Sequence, residues 1–137
     1  WSSDVCSSYL MDTNLYSAYH LTRALIKNMK SAKNGHIFSI CSVASLFAYP
    51  NGGSYSISKF ALLGFSKVLR EELKQFGIRV TAVIAGATYT ASWERSGLSP
   101  ERFMQPQDVA DAILGAYSLS PQSVVEELII RPQLGDI

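Results

Sequence analysis

Apolar residues recur along this chain at two different spacings, and the spacing predicts both helices and strands. Three segments place an apolar residue at every third or fourth position, the period of a helix with one buried face. The predicted helices span residues 11–32, 54–76 and 106–119. Three shorter runs are rich in β-branched and apolar residues and are typical of buried strands. The predicted strands span residues 36–42, 78–84 and 124–130.

The predicted elements alternate in the order helix, strand, helix, strand, loop, helix, strand. Glycines and prolines separate them, with Gly77 after the second helix and Pro106 in the first turn of the third. This alternation indicates parallel strands joined by helical crossovers, with the sheet covered on both faces. The fold class is therefore α/β, although a doubly wound sheet normally has more than three strands.

The first ten residues differ from the rest of the chain. They show neither a helical nor an alternating period, and they lack the pattern of a secretory signal. They resemble the translation of a common sequencing-library adapter and depart from it at Tyr9. We interpret residues 1–10 as a non-native leader, the alternative being a loose polar terminus. In either case Cys6 is not expected to carry function.

Composition narrows the classes of function. Among 137 residues, 12 Lys and Arg balance 11 Asp and Glu, and 47% are hydrophobic. Nucleic acid and anionic membranes are not expected partners, because such binding needs clustered positive charge. No apolar run approaches the roughly 18 residues of a membrane span. Cys6 and Cys41 form no metal-ligand or redox spacing, so we expect a reducing, cytoplasmic setting.

Three polar residues form the first chemical pattern. Tyr55 and Lys59 stand four residues apart on the second predicted helix, which places their side chains on one face about one turn apart. Ser42 lies thirteen positions before Tyr55, at the carboxyl end of the first strand. Ligands of parallel sheets collect at such strand ends. The Tyr-x-x-x-Lys spacing alone is weak, because it also arises by chance on surface helices.

The residues around these three carry a more specific pattern. The stretches 40–44 and 55–65, followed by 69–73 and 77–80, resemble the short-chain dehydrogenase/reductase family of the compact type. Asn14 stands 28 positions before Ser42, where the resemblance requires a helix-embedded asparagine. The likeness extends over residues 11–137. It implies a Rossmann-type sheet, a nicotinamide cofactor, a small carbonyl or alcohol substrate and a homo-oligomer formed through the two long helices.

The resemblance also implies a role for each polar residue. Tyr55 is expected to be the general acid and base, and Lys59 to stabilise its phenolate and hold the nicotinamide ribose. Ser42 is expected to bind the substrate oxygen and Asn14 to support a proton-relay water. Hydride transfer to a carbonyl carbon with protonation of its oxygen gives an alcohol, and donors placed at that oxygen favour the reaction.

The loop after the second strand resembles the family's cofactor-binding turn. Gly86, Thr88 and Thr90 match the expected positions, whereas Ala85 replaces the usual proline and leaves the backbone less constrained. Residues 91–103 fall where the family has a mobile substrate lid. Within it, Trp93 and Phe103 are expected either to line an apolar pocket or simply to pack.

One expected element is missing from the sequence. No glycine-rich loop joins a strand to a helix, and such a loop is what lets a backbone approach a pyrophosphate. The residue that distinguishes NAD from NADP is missing with it, and NADP is slightly favoured. We therefore expect residues 11–137 to be the C-terminal, catalytic part of a Rossmann domain that lacks its nucleotide-binding half. We expect such a fragment to be inactive alone.

Two other functions remain open. The extended relatives, which are epimerases and dehydratases, also use Tyr-x-x-x-Lys, and a non-catalytic protein could keep the two long helices as a dimer face. No metal site is expected, because His20 and His36 have no acidic partners arranged around them. Cys41 is expected to be a buried strand residue. The pairs 71–72 and 126–127 are expected on solvated faces, and a contact of residues 131–136 with a neighbouring subunit is left open.

Overall fold

The computed structural model describes residues 4–137 and contains one parallel sheet with helices around it. The helices are α1 (Asp4–Met11), α2 (Ser17–Ala32), α3 (Gly53–Leu73) and α4 (Pro106–Tyr117). The strands are β1 (Gly35–Ser42), β2 (Ile78–Ala85) and β3 (Glu127–Ile130). Short 3₁₀ turns span Val43–Ser45, Lys74–Phe76, Ala91–Trp93 and Pro100–Arg102. The α/β class and the three parallel strands are confirmed.

The strands lie in the order β1-β2-β3, so β2 is central and β1 has one neighbour among the described residues. Register pairs Ser42 of β1 with Ala85 of β2, and Ala85 with Ile130 of β3. All three strands therefore end together at one edge of the sheet. That edge is where side chains from separate strands and their following loops meet.

One face of the sheet is covered by α2 and α3. Leu69 and Leu73 of α3 form a buried cluster with Ile78 and Val80 of β2, and half-buried Met29 of α2 packs against it. A second cluster, nearer the strand ends, joins α3 to the same face. This packing follows the predicted apolar face of the second helix. It fixes the first turn of α3 beside the end of β1.

The opposite face of the sheet carries α4. The Arg79 guanidinium donates hydrogen bonds to the carbonyls of Tyr117 and Leu119, and the His36 ring stacks on Tyr117. Coverage is incomplete, because Ile40 remains half exposed on this sheet. The last strand is also shorter than predicted, beginning at Glu127 rather than at residue 124.

The N-terminal segment differs most from its prediction. Residues 4–11 form α1, although their sequence has no helical period. A π-helical turn, Asp12–Tyr16, then joins α1 to α2 without a break. Packing of α1 against α3 explains the difference, because tertiary contacts override weak local propensity. Residues 1–3 and the side chain of Cys6 lie outside the described part, so the expectation for Cys6 cannot be compared with it.

Candidate active site

A cavity of about 690 Å³ opens at the carboxyl ends of β1 and β2. It is lined by six of the seven predicted catalytic and cofactor-binding residues: Ser42, Tyr55, Lys59, Gly86, Thr88 and Thr90. They come from the end of β1, the first turns of α3 and the loop after β2. The parallel sheet thus brings together side chains that are up to 48 positions apart in the chain.

Ser42 is held by a capping box at the start of the 3₁₀ turn Val43–Ser45. Its hydroxyl oxygen accepts a hydrogen bond from the Ala44 amide at 3.2 Å, and its own amide donates to the Ser45 hydroxyl at 3.2 Å. Because the Ser42 oxygen acts as the acceptor, its O–H group remains able to donate to a ligand.

Lys59 connects α3 to β1. Its ammonium donates a hydrogen bond to the Ile40 carbonyl at 2.9 Å and lies 5.8 Å from the centre of the Tyr55 ring. Burial lowers the pKa of Lys59 from its ordinary value. The Tyr55 side chain is 37% exposed, so the phenol remains accessible from the cavity. A cation is therefore held beside an accessible phenol.

Asn14 lies in the π-helical turn and is not among the residues that line the cavity. Its side-chain amide donates a hydrogen bond to the Ser58 hydroxyl at 2.9 Å. Ser58 is fully buried and donates in turn to the Tyr55 carbonyl at 2.8 Å. Asn14 is therefore linked through Ser58 to the backbone that carries Tyr55 and does not line the cavity itself. Such π-helical turns occur frequently at functional sites.

The loop after β2 is shaped by backbone pairing and by a close packing partner. The Gly86 amide donates to the Ile130 carbonyl at 2.9 Å, which extends the pairing of β2 with β3 by one residue. A Cβ at Gly86 would lie 2.8 Å from an Asp136 carboxylate oxygen and 3.0 Å from Pro132. The Thr88 hydroxyl donates to the Gly86 carbonyl at 3.1 Å, whereas the Thr90 side chain is exposed.

The segment 91–103 has two different aromatic environments. Trp93 lines the cavity, while Phe103 is 6% exposed and is not among the lining residues. Their ring centres are 5.1 Å apart, so Phe103 packs against Trp93. The sequence left open whether these two aromatic residues line a pocket or only pack. Trp93 lines the cavity, and Phe103 packs in the interior.

Sequence reasoning missed several residues in and around this cavity. Asp136 and Ile137 line it, and the Arg102 guanidinium donates to the carbonyls of Gly135 and Asp136 at 2.9 and 3.0 Å. The 131–137 segment therefore folds against its own chain. No local pattern signals this path, because it depends on contacts between distant loops. Ser58, which accepts the hydrogen bond from Asn14, could have been identified from the sequence, because it lies three positions after Tyr55 on α3.

The residues that were not expected to carry function are buried in the sheet or lie on the surface. Cys41 is a buried free thiol in β1, and the four glutamates 71, 72, 126 and 127 are exposed, three of them in ion pairs with Lys74, Arg70 and Lys67. His20 is exposed and its ring meets Tyr19 edge-on. Among the side chains that the structure describes, no three of His, Cys, Asp or Glu cluster to hold a metal ion. Nor does any helix in the described part of the chain have the length and apolarity to cross a membrane.

Comparison with known proteins gives consistent results. The sequence profile described as short chain dehydrogenase matches residues 3–99. The chain is 38% identical over 130 residues to sepiapterin reductase of Chlorobaculum tepidum, covering 94% of this chain and 53% of that protein.

Solved structures agree with the sequence matches. A metagenomic short-chain oxidoreductase in complex with NADP superposes with a TM-score of 0.78 at 30% identity, covering 96% of this chain and 53% of that one. A 4-hydroxyisoleucine dehydrogenase mutant complexed with NADH and succinate superposes with a TM-score of 0.86 at 26% identity, covering 98% and 62%. The chain spans about half the length of the curated relatives that it matches.

Proposed function

Because this chain belongs to the short chain dehydrogenase family, we propose that it carries the catalytic residues of an NAD(P)-dependent oxidoreductase acting on a ketone or a secondary alcohol. The observation that carries the proposal is the shared cavity. Ser42, Tyr55 and Lys59 line it together with Gly86, Thr88 and Thr90. A cation, a phenol and a hydroxyl meet there at the strand ends where α/β proteins bind ligands.

In the proposed reduction, Tyr55 gives its phenolic proton to the carbonyl oxygen of the substrate. Ser42 donates a hydrogen bond to the same oxygen and stabilises the negative charge that develops on it. Lys59, fixed to the Ile40 carbonyl, supplies positive charge that favours the phenolate left on Tyr55. Asn14 positions this region of α3 through Ser58.

The residues around the cavity suit a nicotinamide cofactor. Two of the ammonium protons of Lys59 are not needed for the Ile40 bond and would be available to ribose hydroxyls, and the 86–90 turn offers backbone groups and the exposed Thr90 hydroxyl. The bound cofactor would supply or accept hydride. We propose NADP or NAD as the cofactor, with NADP tested first, because the similar solved structures include one in complex with NADP and one in complex with NADH. Sepiapterin is the first carbonyl compound to test, because the chain is similar to a sepiapterin reductase.

We further propose that residues 11–137 are the catalytic portion of a longer Rossmann domain and that residues 1–10 are not native. The sequence contains no glycine-rich phosphate loop, so we expect this chain alone to bind no dinucleotide tightly. Sequencing the coding region upstream of Met11 would test both parts of the proposal. A cytoplasmic setting is also proposed, on the basis of the free Cys41 thiol.

A second copy of the chain is the proposed partner of the outer faces of α2 and α3. Ile57, Phe60 and Val68 form an exposed apolar stripe along α3, and Gly64 between them leaves open space. Leu21 and Leu25 are exposed on α2. Exposed apolar stripes of this kind mark protein interfaces.

The experiment that tests the proposed activity is Tyr55→Phe in the full-length protein, assayed for sepiapterin and simple ketone reduction with NADPH and NADH. We expect turnover to fall by about 10²-fold or more while cofactor affinity changes little, because the variant removes the proton donor alone. An unchanged rate would contradict the proposal and favour the interaction protein. Turnover of a nucleotide sugar without net oxidation would favour the epimerase class.

A further inference from the structure

Asp136 is the one acidic residue among the described residues that line the cavity. Its carboxylate has two oxygens in different environments. One pairs with the Arg131 guanidinium, and the other, Oδ1, is buried without a hydrogen-bond partner. A buried carboxylate oxygen that lacks a donor is unfavourable by an amount comparable to a lost hydrogen bond. The arrangement therefore has an unfilled acceptor at the wall of the proposed active site.

The backbone around Asp136 is held in place. Arg102, at the end of the segment 91–103, donates to the carbonyls of Gly135 and Asp136. On the other side, Oδ1 lies 2.8 Å from the position that a Cβ on Gly86 would occupy. The backbone at Asp136 is thus held between the loop after β2 and the segment that carries Trp93.

We propose that the Asp136 carboxylate accepts a hydrogen bond from an N–H or O–H group of the ligand that occupies this cavity. The side chain keeps 29% exposure, and the torsion about its Cβ–Cγ bond is soft, so either oxygen can turn to the cavity. Arg131 neutralises much of the charge, which suits a neutral amide or hydroxyl donor. Asp136 is then a specificity-determining residue, and this role rests on the proposed function.

Two sources can provide such a donor, the substrate and the carboxamide of the nicotinamide. A matched pair of ketones separates them. Acetoacetamide carries an amide NH₂ group, and N,N-dimethylacetoacetamide has the same skeleton without the donor. The full-length wild type, Asp136→Ala and the control Glu101→Gln are compared in kcat/KM for both ketones and in Kd for NADPH by fluorescence. Glu101 is exposed and does not line the cavity.

We expect the wild type and Glu101→Gln to prefer acetoacetamide about tenfold, the effect of one net hydrogen bond. In Asp136→Ala this preference is lost through KM, while kcat for the dimethyl compound is retained. If instead the Kd for NADPH rises about tenfold and the preference is unchanged, the donor is the cofactor carboxamide. If neither quantity changes, the proposal is overturned.

The role of Asp136 can be tested even if the proposed oxidoreductase activity is wrong. If the wild type reduces no ketone, titration calorimetry with acetoacetamide and the NADPH Kd still compare Asp136→Ala with the wild type. If Asp136→Ala does not fold, Asp136→Asn keeps the side-chain volume and one acceptor oxygen while removing the charge. A preference for acetoacetamide that is reduced in Asp136→Asn but unchanged in Glu101→Gln would then support the proposal, and an equal preference in both variants would overturn it.

Discussion

The side chain of Asn14 is hydrogen-bonded to the hydroxyl of Ser58 at 2.9 Å, which links the π-helical turn to the helix that carries Tyr55 and Lys59. Ser58 passes the contact on to the Tyr55 carbonyl. The orientation of the first turns of α3 therefore depends on a residue outside the cavity. This makes the π-helical turn a structural support of the proposed site.

Replacing Asn14 and Ser58 by alanine, singly and together, measures that support. Each single change should lower the free energy of unfolding by about 1 kcal/mol, because each breaks a partly buried hydrogen bond. The double variant should lose less than the sum, with a coupling energy of about 1 kcal/mol in urea unfolding. Strict additivity would show that the bond contributes nothing.

Lys59 should set the pH range of the reaction. Burial lowers the pKa of its ammonium, so the charge beside Tyr55 is lost at lower pH than for an exposed lysine. Lys59→Arg, which stays charged, should extend the alkaline limb of the kcat/KM profile to higher pH. Lys59→Met should reduce kcat/KM by about 10²-fold or more at neutral pH. An alkaline limb that is the same in Lys59→Arg would argue against this role.

Gly86 should tolerate no side chain. In Gly86→Ala the added Cβ meets Asp136 and Pro132 at 3.0 Å or less, so the 131–137 segment must shift. We expect a loss of about 1–3 kcal/mol in unfolding free energy and faster amide exchange over 131–137. Gly115→Ala is the matched control, because nothing lies within 4 Å of its added Cβ on α4. It should be stabilising by about 0.5–1 kcal/mol.

His36 should make stability depend on pH. Burial and the nearby Arg79 lower its pKa to about 4, so between pH 6.5 and 4 the unfolded chain binds more protons than the folded one. Stability is complete above pH 6.5 and falls as the pH drops towards 4, by about 2 kcal/mol after allowance for partial exposure. In urea unfolding, His36→Gln should lack this pH-dependent part of the unfolding free energy. His20→Gln, at an exposed position, should retain it.

The apolar stripe on α3 should determine the oligomeric state. Val68→Glu places a charge on the proposed interface, at the C-terminal end of the exposed stripe, and should shift sedimentation of the full-length protein from an oligomer to a monomer. Gln75→Glu adds the same charge at an exposed position outside the stripe and should change nothing. A wild type that sediments as a monomer would refute the proposed interface.

Periodicity in the sequence was enough to predict the parallel strands and the central helix, because their apolar faces are long and regular. It placed Ser42 at a strand end and Tyr55 one turn before Lys59, which is how the cavity is built. It missed α1, whose residues are helical through packing on α3. It also missed Asp136, because the path of 131–137 is set by Arg102 and by the space at Gly86, neither of which leaves a local pattern.

The position of β1 at the edge of the sheet has a practical consequence for handling this chain. Within residues 4–137, no strand pairs with the outer side of β1, and its 37–41 run is apolar except for Ser39, uncharged and free of proline. Such an edge is a template for adding further strands from other molecules. We expect aggregation of this chain to depend on concentration even while the chain stays folded, so its solubility should be followed separately from its unfolding.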